Sequence, residues 1–448
     1  MLKRGLLSAV LFLMLAATGC ASQTQPGKTE TGKTESMASG QITESNQAAE
    51  TEVVPVDLSE IGTGLESIQI PEGTRIVGLG EAVHGSKELQ VLKQQMMEIL
   101  NTGYGVKTFI LEGDFGGCSQ VNAYIHGGGG TAEEAVKKIG FTIYKTEEMA
   151  DFVEWLRTYN DSVSEADKIS FFGCDMQRLD ENKAIVSAYL SLADDECYDF
   201  YEPILKEVTD DTMYDVAAED YQGFADEIEK VGLMMDERKE HMIAASTEKD
   251  FAFARQAVDI LAQACELQGA APIQYSRLRD EFMAENTNWI LDYEEQYAGR
   301  SCVLLSGHTG HIEKTSANLA GYKSMGNYLA EQWGTSYFAI GTDILNAGFN
   351  SYSSASDKRQ DFEVTNANAL TKGMENDTEN VCYVSMAAAQ SSPAKEAVES
   401  DIAMLNVGED FSEKYSSNKL FYTISMVPAE SYDGVILYKK TSPMHLLQ

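Results

Sequence analysis

The sequence predicts an α/β fold in which a mostly parallel sheet is flanked by helices and interrupted by a long, mainly helical insertion. Two patterns predict it. After Pro55, short apolar runs alternate with stretches of helical periodicity, as in successive β-α-β units. From about 180 to 298 that alternation stops and leaves an acidic, helix-patterned region without a strand-like run.

The candidate strands are RIVGLG (75–80), KTFILE (107–112), ISFFGCD (169–175), SCVLLSG (301–307), SYFAIG (336–341) and VILYKK (435–440). Between the first two, Leu89, Leu92, Met96 and Ile99 recur at three and four residues, the apolar stripe of a helix. Trp155, with Phe152 and Leu156, marks a second helix. Within the insertion the run from Asp194 to Asp211 is rich in acids, and AFARQAVDILAQACELQ (252–268) is strongly helical. No Gly/Pro-rich linker flanks the insertion. It is therefore read as part of one domain, 56–448, capping one end of the sheet.

Ahead of that domain the composition changes twice. Lys3 and Arg4 precede an apolar run from Leu6 to Ala17, too short to span a bilayer comfortably, and Ala17-Thr18-Gly19 then lead into Cys20. Residues 1–20 resemble a bacterial lipoprotein signal, which implies cleavage before Cys20, lipidation of its new N-terminus and export to the outer face of the cell membrane. Residues 21–55 are polar, contain the tandem GKTET-GKTES, and have too few large apolar side chains to form a core. They read as a disordered tether.

With 34 Lys+Arg against 70 Asp+Glu, a formal charge of −36 repels nucleic acid, which is excluded as a partner. Apart from Cys20, the six cysteines Cys118, Cys174, Cys197, Cys265, Cys302 and Cys382 show no C-x-x-C spacing, and Cys174 and Cys302 sit in apolar runs that favour inert thiols.

The six histidines carry more information. His84, His308 and His311 fall just beyond predicted strands, where α/β sheets bind ligands. In GLGEAVHGSKE (78–88), Glu81 and His84 stand three apart after glycines that allow a tight turn. In FILEGDFGG (109–117), Glu112 and Asp114 stand at a strand exit, and in LLSGHTGH (304–311), His308 and His311 repeat the spacing of three. A neutral imidazole oriented by a carboxylate can take a proton from water. The same residue types can also bind a metal that generates hydroxide. Spacing does not separate the two, and a lipid-anchored protein that only binds a small molecule is a third reading. His126, His241 and His445 lack such neighbours and read as structural or surface residues. The glycines 127–130 lack a phosphate-binding spacing and read as a loop.

GLGEAVHGSKE resembles the signature of the erythromycin esterase family, and further similarities follow in order: LEGD (111–114), VNAYI (121–125), RDEFMAEN (279–286), SGHTGH (306–311) and MGNYL (325–329). Together they cover about residues 70–345. The resemblance implies a metal-independent hydrolase, without a cofactor, that opens a macrolide lactone or a related small-molecule carboxylic ester with water. It implies His84 as general base, Glu81 and Glu112 as residues orienting that base or the water, and His308 and His311 as groups that bind the carbonyl or protonate the departing alkoxide. Arg279 would offset charge developing on oxygen, while Lys93, Asp114 and Met325 would face the substrate. No G-x-S-x-G elbow occurs, in keeping with a mechanism that needs no serine nucleophile. One departure stands out: macrolide-active members usually carry arginine nine residues after the base histidine, and this chain has Lys93, which keeps the charge but loses the bidentate fork.

Overall fold

The structure, a computed structural model, describes residues 53–448, so the signal peptide, Cys20 and nearly all of the tether lie outside the described residues. The first of them are already docked: Lys372 donates to the Val53 carbonyl, and the Val56 amide to Ala369.

The six apolar runs form strands. In a numbering that covers every strand, they are β2 (Ile76–Glu81), β3 (Thr108–Asp114), β4 (Ser170–Asp175), β5 (Val303–His308), β6 (Tyr337–Ser353) and β11 (Gly434–Lys440). The structure adds β1 (Gly62–Thr63), β7 (Lys358–Thr365), β8 (Val381–Ser385), β9 (Ile402–Leu405) and β10 (Thr423–Met426). Among the described residues a nine-stranded sheet runs β1-β8-β11-β6-β2-β5-β3-β4, with β7 paired to β6, while β9 and β10 form a separate antiparallel pair. From β11 to β4 every pairing is parallel. The chain leaves β2 for β3 and β4, returns to β5 between β2 and β3, and then crosses to β6 on the other side of β2. That reversal opens a crevice at the carboxyl ends of the central strands.

The stripe beginning at Leu89 lies on α1 (Lys87–Tyr104). After β3 comes α2 (Phe115–Ile125), and Trp155 lies on α3 (Glu147–Ser162). The insertion is helical throughout, its longer members being α4 (Asp180–Ala193), α5 (Ala218–Glu237), α6 (Glu248–Gly269) and α7 (Pro272–Ala298).

The insertion covers a face of the sheet, whereas the sequence pattern suggested that it caps an end. Ile110, Phe172, Cys174, Val303 and Leu305 point into one core with Leu261 of α6 and Ile290 of α7. Their strand neighbours Phe109, Leu111, Phe171 and Leu304 point into the opposite core with residues of α1 and α3. Phe115 locks the insertion down, its ring centroid 5.0 Å from Phe253 and 5.9 Å from Trp289. Asn286 of α7 also donates to the Cys174 carbonyl at 3.0 Å.

All six cysteines of the described residues are free thiols, and Cys302 is partly exposed. No helix among the described residues is long and apolar enough to cross a membrane.

The turn after β2 is pinned from two sides, because the Gly85 carbonyl accepts from Asn350 at 3.0 Å and from Met444 at 2.9 Å. A Cβ at Gly85 would stand 1.9 Å from the Asn350 carbonyl oxygen. Gly85→Ala is therefore expected to lower stability by about 1–3 kcal/mol through overpacking, read as a reduced urea midpoint at unchanged m-value.

Candidate active site

Register alone brings the predicted residues together. Glu81 and His308 are Cα partners at the ends of β2 and β5. On the other side of β5, Leu111 pairs with Ser306, so Glu112 leaves β3 beside Gly307. A Cβ on Gly307 would lie 3.0 Å from Glu112 Oε2 and 3.1 Å from Glu112 Cβ. The glycine lets the Glu112 carboxylate lie across β5 and accept the His308 amide at 2.5 Å.

Glu81 is the last residue of β2, and α1 begins after its N-cap Ser86, so Glu81 is not a helix cap. Its carboxylate meets three donors: His84 Nδ1 at 3.3 Å, Lys93 Nζ at 3.2 Å and Gln90 Nε2 at 2.9 Å. Gln90 also donates to the His84 carbonyl at 2.9 Å, which fixes the turn that carries the histidine. Lys93 is fully buried behind Glu81, with its ammonium 5.8 Å from the Tyr144 ring centroid. Burial pulls the Lys93 pKa below its ordinary value, opposed by the Glu81 charge.

The second half of the cluster is built on Arg279 of α7. Nη2 donates to Glu112 Oε1 at 2.7 Å and to Asp175 Oδ2 at 2.6 Å, while Nε donates to the same Asp175 oxygen at 3.1 Å. Nη1 lies 3.0 Å from His311 Nε2. On its other side His311 gives Nδ1–H to Asp280 at 2.7 Å, and Asp280 also accepts the Met325 amide at 2.8 Å. Burial opposes the charge on Glu112, but His311 and Arg279 outweigh it and hold the carboxyl well below its usual range.

His311 has two satisfied states. Burial favours the neutral ring, in which Nε2 accepts from Arg279. Asp280 and Glu112 favour the charged ring, in which Nε2–H can turn to Glu112 Oε1 at 3.4 Å, and their pull raises its pKa. His308 differs. Burial, reinforced by His84, drives its pKa well below the ordinary value, so the ring is neutral, and the Val407 backbone takes one of its N–H groups.

The His84 and His308 rings lie 4.7 Å apart, and those of His308 and His311 6.2 Å. His84 Nε2 and His308 Nε2 are both buried, and among the described residues neither has a hydrogen-bond partner. Two adjacent orphaned nitrogens in a closed site indicate a place for water or substrate.

The six residues expected to do the chemistry thus converge. The three expected to face substrate do not join them directly. Lys93 supports Glu81 from behind, and Asp114 caps α2 through the Gly117 amide at 2.6 Å while accepting from Asn182. Burial raises the Asp114 pKa well above its ordinary value. Met325 is buried and offers the site only its backbone amide, through Asp280. Sequence reading missed Asp175, Asp280 and Gln90. Asp175 ends an apolar strand just as Glu112 does, and that parallel could have exposed it. Asp280 and Gln90 give no such signal.

Fold and site define an α/β protein with a buried histidine–carboxylate cluster at the carboxyl ends of its parallel strands. The profile described as Erythromycin esterase matches residues 102–441. The chain belongs to that family, a family of hydrolases. The matched span begins after the His84 turn, which the strand register above ties to the rest of the site. Erythromycin esterase type II of Escherichia coli is 26% identical over 312 residues, 62% of this chain and 70% of that protein. The crystal structure of a Bacillus cereus protein shares the fold, with a TM-score of 0.72 at 21% identity over 84% of this chain and 91% of that one. So does an erythromycin esterase mutant in its open conformation, with a TM-score of 0.62 at 15% identity over 84% and 93% of the two chains.

The two shifted pKa values set a pH window. Glu112 is held ionised, so its stabilisation is present above its ordinary 4.5 and is lost as pH falls toward its lowered value. His311 is held charged, so its stabilisation is present below its ordinary 6.5 and is lost as pH rises through its raised value. The difference in thermal midpoint between wild type and His311→Gln is therefore expected to be widest below His311's ordinary 6.5 and to shrink as pH rises above it. A difference that does not vary with pH would contradict the charge assignment.

Proposed function

We propose that the protein hydrolyses a carboxylic ester, a macrolide lactone or a related small-molecule ester, with water activated by histidine. The observation that carries this reading is the pair of orphaned nitrogens, His84 Nε2 and His308 Nε2. With Nδ1–H of His84 directed to Glu81, and a ring N–H of His308 directed to the Val407 backbone, each Nε2 holds a lone pair. Two lone pairs on facing rings can accept both hydrogens of one water molecule and leave its oxygen free to attack.

As the water oxygen adds to the ester carbonyl carbon, His84 takes a proton. The carbon–alkoxide bond then breaks, and His311, which is satisfied in either protonation state, supplies a proton to the departing oxygen. His308 lies between the two rings and can return the proton from His84 to His311. Glu81, with Gln90 and Lys93 behind it, fixes the ring orientation of His84. Arg279 is a strut in this reading: its donors are committed to Glu112, Asp175 and His311, and it aligns the acid side of the site. Its guanidinium already fills the space between the carboxylates, and no group of three or more His, Cys, Asp or Glu side chains among the described residues is arranged to hold a metal.

The similarity to an erythromycin esterase of Escherichia coli supports a macrolide as substrate, and removal of a macrolide would give the cell resistance. The leader ending at Cys20 supports an enzyme exported and lipid-anchored at the membrane surface.

His84→Ala is expected to reduce ester turnover by about 10²–10⁴-fold while leaving the thermal midpoint close to wild type. Prolonged dialysis against EDTA is expected to leave the wild-type rate intact. Full activity in His84→Ala sinks the mechanism, and loss of activity to EDTA that zinc or manganese restores would replace it with a metal-dependent one.

A further inference from the structure

Two loops border the catalytic cluster, and each brings a cation to its edge. Residues 138–145 carry Tyr144, the ring beside Lys93, and end in Lys145. The residues after β4 run from Asp175, which anchors Arg279, to Arg178. Between them Gln177 donates to Tyr275 at 2.5 Å, one helical turn before Arg279 on α7. The Arg178 guanidinium lies 5.3 Å from the Phe141 ring centroid, which joins the two loops. Lys145 and Arg178 are thus neighbours at the border of the site, and both are half-buried.

Neither makes an ion pair among the described residues, although the chain carries a twofold excess of acids. The acids that interact with them are engaged elsewhere. Asp210 is spent on the amides of Leu179 and Asp180, at 2.6 and 3.3 Å, and Glu409 pairs with Arg359 at 3.1 Å. Arg178 Nε is buried and has no hydrogen-bond partner among the described residues. Burial lowers the Lys145 pKa and the charge of Arg178 lowers it further, opposed in part by Asp210 and Glu409. A half-buried cation pair in so acidic a protein is costly unless something anionic offsets it.

Resting on the ester-hydrolase reading, we propose that Arg178 and Lys145 form an anion subsite at the mouth of the active site, and that the preferred substrate is an ester carrying a carboxylate or similar anionic group remote from the scissile bond. The guanidinium offers a planar fork to that group and the ammonium a point charge, while Phe141 and Tyr214 flank them.

The test compares 4-nitrophenyl hemiglutarate with 4-nitrophenyl pentanoate, which differ in one terminal carboxylate. The full-length wild type is expected to prefer the anionic ester in kcat/KM, and Arg178→Gln and Lys145→Gln each to reduce the anionic-to-neutral ratio by about ten-fold. Lys395→Gln, which removes the same charge from an exposed helix, is expected to leave the ratio unchanged. Equal ratios in wild type and both subsite variants overturn the subsite, as does an equal fall in the Lys395→Gln control. If the wild type hydrolyses neither ester, the esterase reading fails by itself, and binding of the matching anilides decides the subsite. Tighter binding of the glutarate anilide that is lost in Arg178→Gln upholds it, and no preference rejects it.

Discussion

A single guanidinium buried between carboxylates holds the two halves of this protein together at its site. Arg279 comes from the helical insertion, Glu112 and Asp175 from neighbouring strands of the sheet, and His311 from the turn after a third strand. Each carboxylate would be a costly isolated charge in this setting. Removing one partner of such a buried pair costs about 3–5 kcal/mol, because the others are left uncompensated. The contact therefore couples docking of the insertion to alignment of the His311 side of the site, and a helix that strayed from the sheet would leave Glu112 and Asp175 unpaired.

The side built on Glu81 and His84 is organised differently. Glu81 and His84 belong to one strand and its turn, and their support comes from the helix that follows, through Gln90 and Lys93. The Lys93 ammonium is buried against Glu81 and Tyr144. Burial also sets apart the two histidines at the end of β5 and in the turn after it. His308, packed against His84 without a carboxylate partner of its own, is driven to the uncharged form, while His311, flanked by Asp280 and Glu112, is drawn toward the charged one. His308 and His311, with ring centroids 6.2 Å apart, thus carry different proton affinities.

Much of the fold was readable because parallel strands buried on both faces are continuous apolar runs, and all six such runs became strands. The strands that escaped notice have other reasons to exist. β7 is largely exposed and polar and is defined by its antiparallel pairing with the second half of β6. The short β9–β10 pair, whose first strand leads on to Val407, is likewise defined by its antiparallel pairing. The orientation of the insertion was also illegible, since helical periodicity shows that a helix has a buried side without showing what lies against it.

His84, His308, His311, Glu81 and Glu112 could be singled out from the sequence because strand ends carry function in such sheets and because their spacing put paired polar residues in tight turns. What the sequence could not decide was how they pair. That Glu112 serves His308 and Arg279 while Glu81 serves His84, that Asp175 and Asp280 complete the set, and that Asp114 turns aside to cap a helix are all settled by strand register and by the crossing of α7 over the sheet. Residue type and local spacing determine which groups can act on a proton. Which of them meet, and which stay charged, depends on burial and on neighbours hundreds of residues away, and only the tertiary structure sets those.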